Sequence, residues 1–409
     1  MSGEFYMKIS LIGAGPGKET LISLEGDKLI KEADILIGAD RIIKTFGAGK
    51  PGFNIVRAED IVDKIKNTGI GKNVAVLLTG DPGFYSSAKK LFKLLDSDEA
   101  LKGSEINVVP GISSLQYFLE NMHLSWENVV LKSLHGRKGN LIGSIRDNPK
   151  VFSLFGNGEE IRETAEKLHY YGMDQVKIII GERLSYPDEN IIFTLPKRLL
   201  DEGTVPDKLS AALFINENAG GPLSGSIEDS EFIRGDVPMT KEEIRTLSLS
   251  KLCLKKDSVV YDIGAGTGSV SVEAALKAAE GEVYAIEKRD AAIELINKNR
   301  RKFAADNIHI VQGMAPEAFS ELPPPDRAFI GGSGGKLDSI LEALFLRNPE
   351  VRIVMNIVSL DTLGELNSII KGKGLRSSVT LISISRAEEA GEHSIMKGFN
   401  PVYVVTLSK

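Results

Sequence analysis

The chain has 409 residues, of which 42% are hydrophobic and 26% charged, with a formal net charge of −6. That length exceeds one ordinary domain, and the composition is that of a water-soluble globular protein of two or three domains. The acidic balance offers no basic footprint for nucleic acid, the lone Cys253 excludes an internal disulfide and a cysteine-rich metal site, and no apolar run reaches the roughly 18 residues that span a bilayer. The opening residues lack the basic and apolar regions of a signal peptide, which predicts a cytoplasmic location.

In chain order, Ile9–Ile12 reads as a short strand before a glycine turn, followed by a helix over about Glu19–Glu32 and a strand at Ile35–Gly38. Strand Val74–Leu78, a helix near Ser87–Leu95 and strand Ile106–Val109 continue the alternation, which reads as a parallel α/β sheet. A second lobe begins after a split near residues 120–128. It has strands near Val129–Leu134, Val151–Phe155, Val176–Ile180, Ile191–Phe193 and Ala211–Ile215, with helices near Gly158–Tyr171 and Pro196–Asp201. Residues 218–236 are rich in Gly, Ser, Pro and acids without periodicity, which predicts a linker between a domain at 7–217 and one at 237–409. Thr240 and Glu243 have the spacing of a capping box at a helix start. Cys253 ends a helical stretch, Leu247–Leu254, as a core filler.

The C-terminal part carries the strand Val259–Ile263 running into a GxGxG turn, Gly264–Gly268, then a helix from Ser269, then a second strand ending in Glu287. Glycines let the backbone turn and approach a ligand, and an acid at the second strand end accepts from both ribose hydroxyls. The dinucleotide fingerprint wants a further glycine where Ser269 stands, so S-adenosylmethionine is favoured over a nicotinamide cofactor. The segment Gln312–Glu317 after a third strand falls where methyltransferases hold the adenine. After the fourth strand, Gly331, Gly332, Ser333, Gly334 and Gly335 offer backbone N–H groups to an anion, as a substrate carboxylate would require. The Asn/Asp-Pro-Pro-aromatic motif of nucleic-acid amino methyltransferases does not occur there. In the N-terminal part, Gly13–Gly17 follows a strand, but both the phosphate-loop and dinucleotide patterns fail at Lys18.

Ile12–Gly17, together with Leu78–Pro82, Val109–Ser114, Ser133–Arg137 and Gly181–Pro187, resembles the tetrapyrrole methylase family over about Lys8–Asn216. Val237–Arg245, Asp262–Gly268, Ala315–Ala318 and Gly331–Gly335 resemble the Rossmann-type methyltransferases of cobalamin synthesis over about Phe232–Lys409. The resemblance implies a two-lobed tetrapyrrole methylase fold followed by a doubly wound, Rossmann-like class I methyltransferase domain. It also implies two S-adenosylmethionine sites per chain and a small-molecule tetrapyrrole substrate, with no membrane or nucleic-acid partner, in a homo-oligomer. Carried over by position, Thr240, Gly264, Ala265, Gly266, Thr267, Gly268, Glu287 and Ala315 would contact the donor in the C-terminal site. In the N-terminal site the corresponding residues are Pro16, Asp81, Phe84, Ser113, Ser114 and Ala212, while Gly13 and Gly15 shape the substrate side.

The implied chemistry is bifunctional: methylation of C5 by the N-terminal domain and of C15 by the C-terminal domain of a corrin precursor, with loss of the ring C acetate as carbon dioxide. An electron-rich carbon attacking a sulfonium methyl needs alignment more than acid–base groups, and no metal site or catalytic triad is expected. His135 is a candidate catalytic residue, with Arg137 beside it, and Arg386 is a candidate anchor for substrate carboxylates. A dehydrogenase using the C-terminal glycine turn and a tetrapyrrole-binding sensor of S-adenosylmethionine are the alternatives.

Overall fold

The computed structural model describes residues 7–47, 49–68, 71–133, 140–391 and 393–409. The described residues fall into two compact units. One draws on Met1–Arg137, Lys150–Glu163 and Lys177–Ile215, the other on Lys138–Pro149, Thr164–Val176 and Asn216–Lys409.

The N-terminal unit opens with strands β1 (Lys8–Gly13), β2 (Ile35–Gly38), β3 (Gly52–Asn54), β4 (Asn73–Leu78) and β5 (Glu105–Val109). They form a five-stranded sheet in the order β3-β2-β4-β1-β5, parallel at every pairing. Helices α1 (Leu24–Glu32), α2 (Asp40–Phe46), α3 (Ala58–Thr68), α4 (Ala88–Ser97) and α5 (Ser114–Asn121) belong to this stretch. Alternation along the strands builds a core on each face: Ile9, Leu11, Val74 and Val76 pack on one side, and Ile12, Leu36, Ala75 and Leu77 on the other. The helix predicted from Glu19 begins later. Glu19–Leu21 is a short 3-10 turn, and Ser23 then caps α1 by accepting from the Gly26 N–H at 3.1 Å.

A second sheet joins β6 (Val130–Ser133), β7 (Lys150–Leu154), β8 (Lys177–Glu182), β9 (Asn190–Thr194) and β10 (Ser210–Ile215) in the order β6-β7-β10-β8-β9. Only β6 and β7 run parallel; the other pairings are antiparallel. Helices α6 (Leu141–Asp147), α7 (Gly158–Tyr170) and α8 (Pro196–Asp201) lie along this part of the chain. Leu115, Phe118 and Leu119 of α5 pack on Phe152, Ile179 and Leu213 of this sheet.

The C-terminal unit is a seven-stranded sheet of β11 (Val259–Ile263), β12 (Glu282–Glu287), β13 (Ile308–Gln312), β14 (Arg327–Ile330), β15 (Arg352–Ile357), β16 (Arg376–Ile382) and β19 (Val402–Ser408). Strands β17 (Ser385–Ala390) and β18 (His393–Gly398) form a separate antiparallel hairpin. The order β13-β12-β11-β14-β15-β19-β16 is doubly wound about β11, with β19 antiparallel to both its neighbours. Helices α9 (Glu242–Leu252), α10 (Ser269–Lys277), α11 (Asp290–Lys302), α12 (Leu337–Arg347) and α13 (Leu360–Lys373) complete the layers.

Two local expectations change here. The N-cap of α9 is Lys241 and makes no side-chain cap bond, so the expected box of Thr240 and Glu243 does not form; Glu243 is held by Arg386 instead. Cys253 is exposed at the C-cap of α9 with φ +52°, not a core filler. Within residues 218–236, Ile227 and Phe232 are buried in the C-terminal core and Asp229 is 6% exposed. Among the described residues no helix is long and apolar enough to cross a membrane.

Candidate functional sites

A cavity of about 480 Å³ opens at the carboxyl edge of the C-terminal sheet, within the range of small-molecule sites. Its wall includes Thr240, Gly264, Ala265, Gly266 and Thr267. Glu287, Ala315 and the run Gly331, Gly332, Ser333 and Gly334 complete the predicted residues that line it. Gly268 and Gly335 are absent from the lining. Gly268 instead begins α10 at φ +78°, where an added Cβ would press on Ile296 at 3.2 Å. Gly264 has φ +72° and lies so close to Gly332 that a Cβ would sit 3.1 Å from its N and O.

Glu287 is 4% exposed. Its carboxylate accepts from the N–H groups of Gly266 at 3.0 Å, Lys288 at 2.9 Å and Arg289 at 3.1 Å, and from Arg289 Nε at 3.2 Å. Burial pushes its pKa up, but the Arg289 side chain and these N–H groups outweigh that and hold the carboxyl below its ordinary range. Asp262, at the end of β11, behaves oppositely. Burial pushes its pKa up to about 7, with the Glu287 charge adding and hydrogen bonds from Ser271 opposing. Ser271 Oγ donates to Asp262 Oδ2, whereas Oδ1, in a residue that lines the cavity, is buried without a partner among the described residues. Thr267 Oγ1 is likewise buried and unpartnered.

These features fit S-adenosylmethionine. An acid on glycine-turn N–H groups suits a ribose, and an orphaned carboxylate oxygen suits an ammonium. Sequence reasoning named Asp262 as the start of the motif Asp262–Gly268 but did not place it in the site. It missed Met239, Lys241, Arg289 and Asn356, which also line the cavity. The position of Asp262 at the strand end before the glycine turn was the available signal.

Arg386 does not line the cavity. Its guanidinium donates to Glu243 at 2.8 and 2.6 Å and to Asp229 at 3.1 Å, and the Glu243 hydrogen bond raises its pKa further, so internal acids already occupy the group expected to anchor a substrate carboxylate. Asp229 also meets Arg245 at 3.1 Å, and fully buried Arg245 donates to Glu273 at 2.6 Å and to the Thr240 carbonyl at 2.7 Å. The cluster thereby holds a stretch of cavity wall.

In the N-terminal unit the three glycine motifs interlock. Gly80 N–H donates to Gly15 O at 2.7 Å, and Gly15 N–H returns to Gly80 O at 3.3 Å. Asp81 accepts from Gly111 N–H at 3.1 Å and Gly83 N–H at 2.7 Å. A Cβ on Gly13 would lie 2.6 Å from Gly111 N, and one on Gly111 would lie 2.5 Å from Gly80 O. Ser113 and Gln116 form the capping box of α5, so Ser113 and Ser114 open a helix at this junction. Pro16 is buried beside Gly17, where a Cβ would meet the Tyr186 ring at 2.4 Å. Phe84 packs against Phe152 with ring centroids 6.3 Å apart, and Ala212 is fully buried in β10. Thus Gly13, Gly15, Asp81 and Ser113 meet at this junction with Pro16 next to Gly15 in the chain, while Phe84 packs against the core of the second sheet and Ala212 lies within that sheet. His135 and Arg137 lie outside the described residues.

Each half of the chain matches a known family of proteins. The tetrapyrrole (corrin/porphyrin) methylase profile matches residues 8–199, and the precorrin methyltransferase domain profile matches residues 231–409. A probable cobalt-precorrin-6B C(15)-methyltransferase (decarboxylating) from Pyrobaculum calidifontis is 43% identical over 183 residues, covering 44% of this chain and 94% of the relative. A precorrin-6Y C(5,15)-methyltransferase [decarboxylating] from Sinorhizobium sp is 27% identical over 411 aligned positions, covering 97% of this chain and 95% of the relative. A solved precorrin-6Y C5,15-methyltransferase structure from Geobacter metallireducens is 39% identical over 45% of this chain and 97% of its own, with a TM-score of 0.43. The relatives are methyltransferases, which leaves the dehydrogenase and sensor alternatives without support. The chain therefore belongs to the decarboxylating precorrin methyltransferase family, with a tetrapyrrole methylase domain ahead of the precorrin methyltransferase domain.

Proposed function

We propose that this chain is a bifunctional methyltransferase of cobalamin biosynthesis. Its N-terminal domain methylates C5 and its C-terminal domain methylates C15 of precorrin-6Y or its cobalt form, with loss of the ring C acetate as carbon dioxide. The observation that carries the reading is the correspondence of both halves, in order, with a relative named for both methylations. Two donor sites per chain, domains at 7–217 and 237–409 joined through 218–236, and a cytoplasmic homo-oligomer belong to the same proposal.

When bound, S-adenosylmethionine supplies a methyl group on a sulfonium, an electrophile for an electron-rich carbon. In the C-terminal cavity Glu287 would accept from the ribose hydroxyls and Asp262 Oδ1 from the donor's amino group. Ala315 would bound the adenine end and Thr240 would contact the donor, and the Gly331–Gly334 N–H groups would be offered to the substrate. Holding carbon and methyl in line and excluding water contributes on the order of 7–11 kcal/mol. In the N-terminal domain the interlocked loops around Asp81 and Ser113 do the same work. In the decarboxylation the bond between the acetate methylene and its carboxylate breaks. The electron pair enters the conjugated macrocycle, carbon dioxide leaves and a proton is taken up.

The test is a mass spectrum of the product after incubation with S-adenosylmethionine and precorrin-6Y, with and without cobalt. Two methyl groups gained and one carbon dioxide lost is the expected result. An unchanged substrate mass in a sample that binds the donor overturns the substrate assignment.

A further inference from the structure

A second cavity, of about 200 Å³, opens in the N-terminal unit at the carboxyl ends of β2 and β4, where open α/β sheets receive ligands. Gly38, Thr79, Tyr85, Ser86 and Ser87 supply its polar rim, over an apolar floor that includes Leu77. Beside it stands Arg41, at the start of α2 and half-buried. Its Nη2 donates to Thr79 Oγ1 at 3.2 Å, its Nη1 reaches the Tyr186 hydroxyl at 3.4 Å, and the guanidinium carbon lies 5.9 Å from the centre of that ring. Among the described residues Arg41 has no carboxylate partner, unlike Arg183, Arg245 and Arg386. Thr79 is immediately before Gly80, so the guanidinium sits next to the interlocked loops. A guanidinium has five N–H donors in a flat fork matched to a carboxylate, and neutral hydroxyls do not neutralise its charge.

We infer that Arg41, with Thr79 beside it, anchors a peripheral carboxylate of the tetrapyrrole and seats the substrate for the N-terminal methyl transfer. This rests on the proposed tetrapyrrole reading and adds to it a specific binding residue in the N-terminal unit. The cavity has room for one acetate or propionate arm, while the macrocycle stays outside it. The Thr79 hydroxyl accepts from Arg41 and donates its own proton to the same carboxylate. Arg41 binds and does not take part in bond making.

The experiment uses the full chain and the variants Arg41→Ala and Arg41→Lys. Each is titrated with uroporphyrin, whose rings all bear carboxylates, and with its full methyl ester; S-adenosylmethionine affinity and both methylations are measured alongside. Arg41→Ala is expected to lose about tenfold to hundredfold in affinity for the acid, the range of a charged hydrogen bond. Arg41→Lys falls between it and the wild type. The ester binds all three proteins equally, donor affinity does not change, and KM rises for the N-terminal methylation alone. Equal binding of the acid by wild type and Arg41→Ala overturns the inference, as does parallel loss of acid and ester. If Arg41→Ala loses only the acid while no protein transfers a methyl group, the proposed function fails and the anion anchor stands.

Discussion

Replacing Arg245 with methionine keeps the unbranched stem and removes the charge from the most deeply buried ion cluster described in the C-terminal unit. Arg245 and Glu273 are both 0% exposed, and Asp229 is 6% exposed. The substitution removes the 2.6 Å bond to Glu273, the 3.1 Å bond to Asp229, the 2.7 Å bond to the Thr240 carbonyl and the stacking on Phe232 at 4.8 Å. Asp229 keeps Arg386, but Glu273 loses its cation and already has one oxygen without a partner. Leaving a buried charge uncompensated costs about 3–5 kcal/mol, a large share of the roughly 5–15 kcal/mol that stabilises a domain. Urea unfolding followed by circular dichroism and by hydrogen exchange in α10 measures the loss. The only tryptophan, Trp126, lies in the N-terminal unit, so its fluorescence serves as an internal control. Arg245→Met combined with Glu273→Met is expected to recover most of the stability, because both charges leave together. Glu243→Gln weakens a pair whose side chains are 33% and 42% exposed while leaving Arg386 on Asp229, and is expected to cost under about 1 kcal/mol. A loss below about 1 kcal/mol in Arg245→Met, or a double variant weaker than the sum of its singles, refutes the reasoning.

Asp262 makes donor binding pH-dependent. Its folded pKa of about 7 exceeds the ordinary 3.8, so its protonated form is favoured in the fold. In the absence of donor this contribution to stability is complete below the ordinary value and is lost as pH rises through about 7. A cationic amino group at Oδ1 favours the carboxylate, so affinity for S-adenosylmethionine is expected to rise with pH and level off above about 7. Calorimetry in buffers of different ionisation heat reads the released proton, and Asp262→Asn removes the slope; a flat wild-type profile across neutral pH contradicts the assignment. Gly111→Ala places a Cβ 2.5 Å from Gly80 O and 2.6 Å from Gly13 O, which forces the loops apart. Misplacement on the order of 1 Å costs about a hundredfold in rate, so N-terminal methylation should fall by about that factor while C-terminal methylation persists. Products of unchanged composition would show that the interlock does not position the N-terminal reaction.

Much of the site was legible because its determinants are local. The glycine turn at Gly264–Gly268, the acid Glu287 at the next strand end and the Gly331–Gly335 loop are short runs whose backbone demands and spacing survive in one dimension. The same holds for the three N-terminal motifs, although that Gly13, Gly80 and Gly111 pack against one another is a fact of strand order, since β4, β1 and β5 are neighbours only in the sheet.

The misread charged residues share one cause, competition from distant partners. Glu243 has capping-box spacing from Thr240, yet Arg386, 143 residues away, takes its carboxylate, because a bidentate ion pair outweighs a single cap bond. Arg386 looked free for substrate for the same reason, and the burial of Asp229 and Ile227 within residues 218–236 was not legible because nothing nearby shows Arg245 waiting for them. Periodicity and motif spacing by themselves determined the alternation of strands and helices, the glycine turn after β11 and the position of an acid at the end of the next strand. Tertiary structure alone decided which charges are spent inside the fold and which stay available at a site, because burial and ion pairing depend on neighbours that the chain order does not specify.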